Sequence, residues 1–266
     1  MHSRSSPGNL QALIFDVDGT LADTEEAHRL AFNDAFAEHG LPWRWGRERY
    51  AVLLKTTGGK ERLGAYIDTL DLAPGRRDEL RARIPELHRC KTAHYTRRIR
   101  AGAVPLRAGV RRLVAEARAD GLRLAIASTT TSENIEALLA TTLGEGAPGW
   151  FAVIAAGDDA PRKKPAPDIY EIALSRLSLG PDAAVAFEDS ALGVAAAKAA
   201  GLFTVATPNR WTRGDDLRAA DLVLPSLGDA DQPLTGRAAA HVGGPMLDLA
   251  ALERCMALAP RGRRQP

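Results

Sequence analysis

The run Leu13-Ile14-Phe15-Asp16-Val17-Asp18-Gly19-Thr20 decides the architecture. Residues 12–16 are apolar up to the first aspartate, without the polar alternation of a strand that has a solvent face. A strand of this kind is buried on both sides, as in a parallel sheet covered by helices. Five further runs read the same way, at 122–128, 152–157, 183–188, 202–206 and 221–224. Helical periodicity fills the intervals at 109–119, 132–143, 168–177, 191–200 and 214–220. The expected fold is therefore α/β, a doubly wound parallel sheet.

One interval breaks the alternation. Residues 24–100 offer no convincing strand, only helical stretches and loops. Asp23, Thr24 and Glu26 supply a helix start, and Ala27, Ala31 and Ala35 with Phe32 and Phe36 give the spacing of a packed helix. Further helices are expected at 61–70 and 77–99, the second bent or broken at Pro85. Residues 101–106, with Gly102 and Pro105, lead back to the sheet. The expected organisation is an α/β core of residues 1–23 and 101–266 carrying an inserted all-helical cap of residues 24–100. Beyond Leu227 the chain is rich in Gly and Pro, with one short helix expected at 246–258 and a basic tail through Arg261, Arg263 and Arg264.

Composition removes several function classes. The 266 residues carry 35 Lys and Arg against 33 Asp and Glu, a net charge of +2. That balance argues against nucleic acid or an anionic membrane as the main partner, since either favours a concentrated positive field. Cys90 and Cys255 are the only cysteines, too few for a disulfide framework or a cysteine-based metal site. No apolar run approaches the length of a membrane span, and residues 1–9 lack the apolar stretch of a signal peptide. A soluble, cytoplasmic, monomeric protein is expected.

Ligands of a doubly wound sheet bind beyond the carboxyl ends of its strands, where Asp16 and Asp18 fall. Two carboxylates two residues apart and followed by glycine invite a hard cation with oxygen ligands. A calcium loop with Gly19 in the glycine place would put Ile14 at the first ligand position and a strand where a helix belongs. Three more places fall at the same edge. Ser128 ends the run 124–127, Lys164 sits in Lys163-Lys164-Pro165-Ala166-Pro167-Asp168, and Glu188-Asp189 ends the run 185–187. Singly, each has a bland reading as a turn residue, solvated surface or a helix start. Together and in order, on one sheet edge, they are hard to call accidental.

Asp16-Val17-Asp18-Gly19-Thr20, Ser128, the Lys164-Pro-Ala-Pro-Asp loop and Glu188-Asp189 resemble the four motifs of the haloacid dehalogenase superfamily of phosphotransferases. The helical insertion resembles the small cap of the subfamily that includes β-phosphoglucomutase and phosphoglycolate phosphatase. More narrowly, residues 21–29 (LADTEEAHR) and 56–62 (TTGGKER) are similar to the CbbY group, phosphatases of xylulose 1,5-bisphosphate, an inhibitor of Rubisco. The resemblance implies a Mg²⁺-dependent phosphatase with Asp16 as nucleophile and Asp18 as general acid and base. It implies metal binding by Asp16, the Asp18 carbonyl and Asp189, with Glu188 orienting the metal's waters. Ser128 and Lys164 would hold the transferring phosphate.

The cap would supply the rest of a phosphorylated sugar's contacts. Gly58 and Gly59 precede Lys60 and Arg62, and a glycine turn lets backbone N–H groups approach a second phosphate. The same stretch also reads as a plain turn with solvated charges. Glu25 and His28 share a helix face and could grip sugar hydroxyls, although Glu25 could equally favour its helix N-terminus with His28 exposed. The CbbY resemblance adds Tyr50 and Lys91. A receiver domain of two-component signalling would be about half as long and carry no insertion. A phosphomutase like β-phosphoglucomutase, with Lys91 and Tyr95 in a similar arrangement, remains the alternative, as does a phosphatase of phosphoglycolate or other sugar monophosphates.

Overall fold

The computed structural model describes residues 10–259; the polar stretch 1–9 and the basic tail with Arg261, Arg263 and Arg264 lie outside them. Six strands form one parallel sheet: β1 (Ala12–Phe15), β2 (Arg123–Ala127), β3 (Phe151–Ala155), β4 (Ala184–Glu188), β5 (Phe203–Ala206) and β6 (Leu222–Val223). Their order is β3-β2-β1-β4-β5-β6, so β1 lies inside the sheet between β2 and β4. Strand alternation sorts side chains by size. Leu13, Phe15, Leu124, Ile126, Val185 and Phe187 enter one apolar cluster, while Ala12, Ile14, Ala125, Ala127, Ala184 and Ala186 enter the other. The small face lets α8 (Asp168–Leu177) and α9 (Ala191–Ala199) pack close to the sheet. On the large face Phe15 and Phe187, paired in register, stack with centroids 4.6 Å apart. Such a pair adds about 0.5–1.5 kcal/mol beyond its burial. The helices α6 (Val110–Ala119) and α7 (Ser132–Leu143) cover that face.

The cap consists of α1 (Glu25–Glu38), α2 (Arg47–Leu53), α3 (Gly59–Asp68), α4 (Pro74–Ala82) and α5 (Ile84–Arg100). It has an aromatic core of its own, in which Phe32, Phe36, Trp45, Tyr50 and Tyr66 meet. The opposite side of α1, Ala27 and Ala31, joins Tyr95 and Ile99 of α5 in the main cluster beneath. Small residues there bring the two helices close. The two chain crossings also touch: Ala22 and Leu106 form an antiparallel bridge, and the Arg107 N–H donates to the Leu21 carbonyl at 2.8 Å.

Several expected elements differ. The helix expected at 77–99 is broken, as expected, but at Arg83 and not at Pro85, which stands in the first turn of α5, where its missing N–H costs nothing. Residues 214–220 form turns, because Asp215 and Asp216 spend their carboxylates on the N–H groups of Ala191 and Arg218 and Leu217 alone is buried there. The final helix is α11 (Leu249–Leu258), started by the Asp248 carboxylate on the Ala251 N–H at 2.7 Å, and a short α10 (Gly236–Val242) precedes it. Among the described residues no helix is long and apolar enough to cross a membrane.

Candidate active site

Parallel strands point their carboxyl ends the same way, so Asp16 follows β1, Ser128 follows β2, and Glu188 and Asp189 close β4 at one edge. The carboxylates of Asp16, Glu188 and Asp189 converge, with one oxygen from each within 4.8 Å of the others, and all three are buried. The Lys164 ammonium sits between two of them, 2.7 Å from Asp16 Oδ1 and 2.6 Å from Glu188 Oε1. Tyr170 on α8 donates its hydroxyl to the same Glu188 oxygen. Asp189 accepts from Asn209 Nδ2 at 2.7 Å and from Thr212.

Two glycines make this crowding possible. A Cβ on Gly193, in the first turn of α9, would lie 1.8 Å from Glu188 Oε2. Gly19, at φ +86°, turns the loop where a Cβ would meet Asp189 Oδ2 at 2.3 Å. Arg107 holds that loop from outside, donating to the carbonyls of Gly19 and Thr207 at 2.5 Å each.

Three carboxylates against one lysine is an unbalanced charge. Burial, reinforced by Glu188 and Asp18, pushes the Asp16 carboxyl up to about 7 although Lys164 opposes it. Burial with Asp16 and Glu188 alongside raises Asp189 well above the carboxylate range. A buried, all-oxygen, acid-rich cluster that cannot fully ionise alone has the chemistry of a site for a hard divalent cation. The donor set fits.

Asp18, two residues on, faces the cap. Its Oδ1 accepts from Thr24 Oγ1 at 2.5 Å and lies 2.9 Å from His28 Nε2. Lys91 Nζ is 2.6 Å from His28 Nδ1. An ammonium only donates, so Nδ1 is the acceptor and Nε2–H donates to Asp18. The His28 ring is stacked on Tyr95 at 4.0 Å, which fixes its plane. Burial raises the Asp18 carboxyl, but His28, Thr24 and Lys91 outweigh it and hold the group below the usual range. Burial and the Lys91 charge lower His28, and burial brings Lys91 down to about 8.

Above the acidic cluster a cavity of about 600 Å³ runs between sheet edge and cap. Asp16, Asp18, Glu188, Asp189 and Lys164 form its floor; Glu25, His28, Gly58, Arg62 and Lys91 line its cap side. Tyr50 stands behind them, donating to Glu25 Oε2 at 2.7 Å and accepting from Arg62 Nη1 at 3.0 Å. The cap is latched to the floor by Thr57 Oγ1 on the Lys164 carbonyl at 2.6 Å and by Trp211, edge-on to Tyr50 at 5.6 Å.

Two expected residues are placed differently. Lys60 points out of this cavity into a neighbouring cleft and pairs with Asp158 of the core at 3.2 Å. Its side chain follows the first turn of α3 outward while Arg62, one row round, turns in. Ser128 is buried, its hydroxyl 3.4 Å from the Thr130 N–H, and the cavity wall there is Thr129 and Thr130. The alternative of an exposed His28 does not hold, since packing against Tyr95 buries it. Sequence reading missed Tyr170, Asn209, Arg107, Thr57 and Trp211. Tyr170 had a faint signal, two residues into the helix that follows the Lys164 loop. The others sit in loops without periodicity.

The family profile of haloacid dehalogenase-like hydrolases matches residues 10–201. Protein CbbY of Rhodobacter capsulatus is 53% identical over 221 residues, 83% of this chain and 95% of that protein. The plasmid-encoded CbbY of Cupriavidus necator is 49% identical over 246 residues, 91% and 95% of the two chains. A crystal structure of a Rhodobacter sphaeroides CbbY mutant, in complex with xylulose-(1,5)bisphosphate, superposes with a TM-score of 0.77 at 45% identity. It covers 84% of this chain and 98% of its own. A parallel sheet with three acid or lysine motifs and Ser128 on one edge, a helical cap above them and these similarities place the chain in the haloacid dehalogenase-like hydrolase family.

Proposed function

We propose that the protein is a Mg²⁺-dependent phosphatase that hydrolyses xylulose 1,5-bisphosphate to xylulose 5-phosphate through an aspartyl-phosphate on Asp16. The observation that carries the reading is the geometry of one loop: Asp16 lies in the buried carboxylate cluster against Lys164, and Asp18, two residues on, faces the cap through Thr24 and His28. Two carboxyls on one short loop have their proton affinities driven apart, up at Asp16 and down at Asp18. In the bare protein that split favours the opposite roles. With a cation on the floor Asp16 would ionise, and the charge of a bound phosphate would raise Asp18, which leaves Asp16 to attack and Asp18 to exchange protons. The CbbY relatives, one of them crystallised with the bisphosphate, support the substrate.

Asp16 attacks the phosphorus and the sugar oxygen leaves, which divides one difficult hydrolysis into two displacements. Bound by Asp16, Asp189 and the Asp18 carbonyl, with Glu188 behind them, Mg²⁺ supplies the positive charge that lets a carboxylate meet a phosphate dianion. Lys164 adds a fixed cation to the same phosphate, and Ser128 braces the Thr129–Thr130 wall beside it. Asp18 hands a proton to the leaving oxygen and later takes one from the attacking water. The substrate's own negative charge raises the proton affinity of Asp18 when it binds. Glu25 meets a sugar hydroxyl, His28 uses its two ring nitrogens to position Asp18 and Lys91, and Arg62, Lys91 and the Gly58 turn take the second phosphate. Tyr50 orients Glu25 and Arg62. Lys60 acts only across the interface between cap and core, through Asp158; the chain passes between the two, on our reading, at residues 23–24 and 100–101. Two free cysteines suit a reducing cytoplasm, where the chain would work as a monomer.

A phosphate-release panel with Mg²⁺ tests the reading. Expected is a kcat/KM for xylulose 1,5-bisphosphate at least about tenfold above sugar monophosphates and phosphoglycolate, a gap of roughly 1.4 kcal/mol. Equal values would overturn the substrate. Isomerised monophosphate without free phosphate would make the enzyme a mutase.

A further inference from the structure

Outside the catalytic cavity, one cluster combines three different metal-ligating side chains. Glu38 ends α1, and Cys90 and His94 stand one turn apart on α5. The two helices pack side by side, and one ligand atom from each residue lies within 4.8 Å of the others. His94 Nε2 is 2.8 Å from Glu38 Oε2, and the Cys90 sulfur lies within 4.8 Å of the ligand atoms of both. Behind the imidazole, Asp34 Oδ2 lies 3.8 Å from His94 Nδ1. Arg98 fixes that carboxylate, with Nη2 at 2.5 Å and Nε at 3.2 Å. At that distance the carboxylate makes no hydrogen bond to the imidazole, but its charge raises the ring's basicity.

We propose that Glu38, Cys90 and His94 form a binding site for a thiophilic divalent cation, zinc in chemical class, with water in the fourth place. One thiolate, one imidazole and one carboxylate are the donors zinc takes in tetrahedral sites. The shell separates neighbouring ligand atoms by about 3.5 Å, so closure takes an inward shift of roughly 1 Å. Glu38 is largely exposed and Cys90 turns on a single bond, so both can move. On binding, the thiol proton leaves to solvent and the Glu38–His94 hydrogen bond gives way to two metal bonds. The all-oxygen cluster at the sheet edge selects a hard cation and this one a softer cation, so both can be filled together. The metal would staple α1 to α5, the helices that carry His28, Lys91 and Tyr95.

The test is a cobalt titration of chelator-stripped full-length protein carrying Cys255→Ser, in excess Mg²⁺. Only a thiolate ligand gives the near-ultraviolet sulfur-to-cobalt charge-transfer band, so cobalt at the acidic cluster is silent. Expected is one equivalent of cobalt with that band, displaced by zinc, and protection of Cys90 from alkylation by zinc. Cys90→Ser abolishes the band, while His94→Ala and Glu38→Gln each weaken cobalt binding at least about tenfold. Mg²⁺-dependent turnover reports that each variant is folded. Absence of the band in the folded protein, or affinity unchanged by both His94→Ala and Glu38→Gln, overturns the site.

Discussion

The two halves of the catalytic cavity treat a carboxylate in opposite ways. The sheet edge crowds Asp16, Glu188 and Asp189 around one lysine, so burial and mutual repulsion drive Asp16 up to about 7. The cap surrounds Asp18 with Thr24, His28 and Lys91 and drives it down, two residues along the same loop. A floor short of positive charge waits for a cation, and a roof rich in it suits an anionic substrate. The difference shows that one loop can serve both because it lies where sheet and insertion meet.

The contrast breaks most visibly at its centre. Asp16→Asn should lower turnover at least about a thousandfold, roughly 4 kcal/mol of barrier, while circular dichroism shows a folded chain. Near-normal turnover would remove Asp16 as the nucleophile. Asp18→Asn should also fail, most severely on substrates with poor leaving groups.

Next comes the rigidity of the floor. Gly193→Ala forces a methyl against a Glu188 carboxylate that Lys164 and Tyr170 hold in place. Denaturant unfolding should register a loss of about 1–3 kcal/mol, the usual range for overpacking.

The floor's missing charge predicts a pH signature. Asp16 binds its proton more tightly folded than unfolded, with a value raised from 3.8 to about 7, and Asp189 is raised as well. Their contribution to stability is therefore full below the unfolded value and is lost as pH rises through about 7. Without divalent cation, that part of the stability falls across this window. Mg²⁺, which competes with those protons, should raise Tm more at pH 8 than at pH 5, by roughly the linkage of one bound ion. A Mg²⁺ effect independent of pH would contradict the raised carboxyls.

The smallest effect is expected at the seam. Lys60 and Asp158 are exposed, and pairs of that kind contribute about 0–1 kcal/mol. Lys60→Ala should change kcat/KM on the bisphosphate by no more than about threefold, whereas Arg62→Ala should narrow the preference over monophosphates. A large, bisphosphate-selective loss from Lys60→Ala would bring that lysine back into the cavity.

Sequence alone determined the parallel sheet, and it supplied the reading of an insertion and of an acidic floor. Apolar strands announce burial on both faces, and parallel strands bring their carboxyl ends to one edge, so Asp16, Glu188 and Asp189 could be grouped without coordinates. Local chemistry misled where side chains compete with the backbone, as at Asp215 and Asp216, and where elements are short, as in α2 and α10. Only the tertiary structure decided which way the cap's side chains turn. It turned Lys60 out and Arg62 in, buried His28 between Asp18 and Lys91, and brought Asn209 and Arg107 to a loop some 190 and 88 residues away. Those contacts depend on how two separately packed cores meet, and no periodicity along the chain encodes that angle.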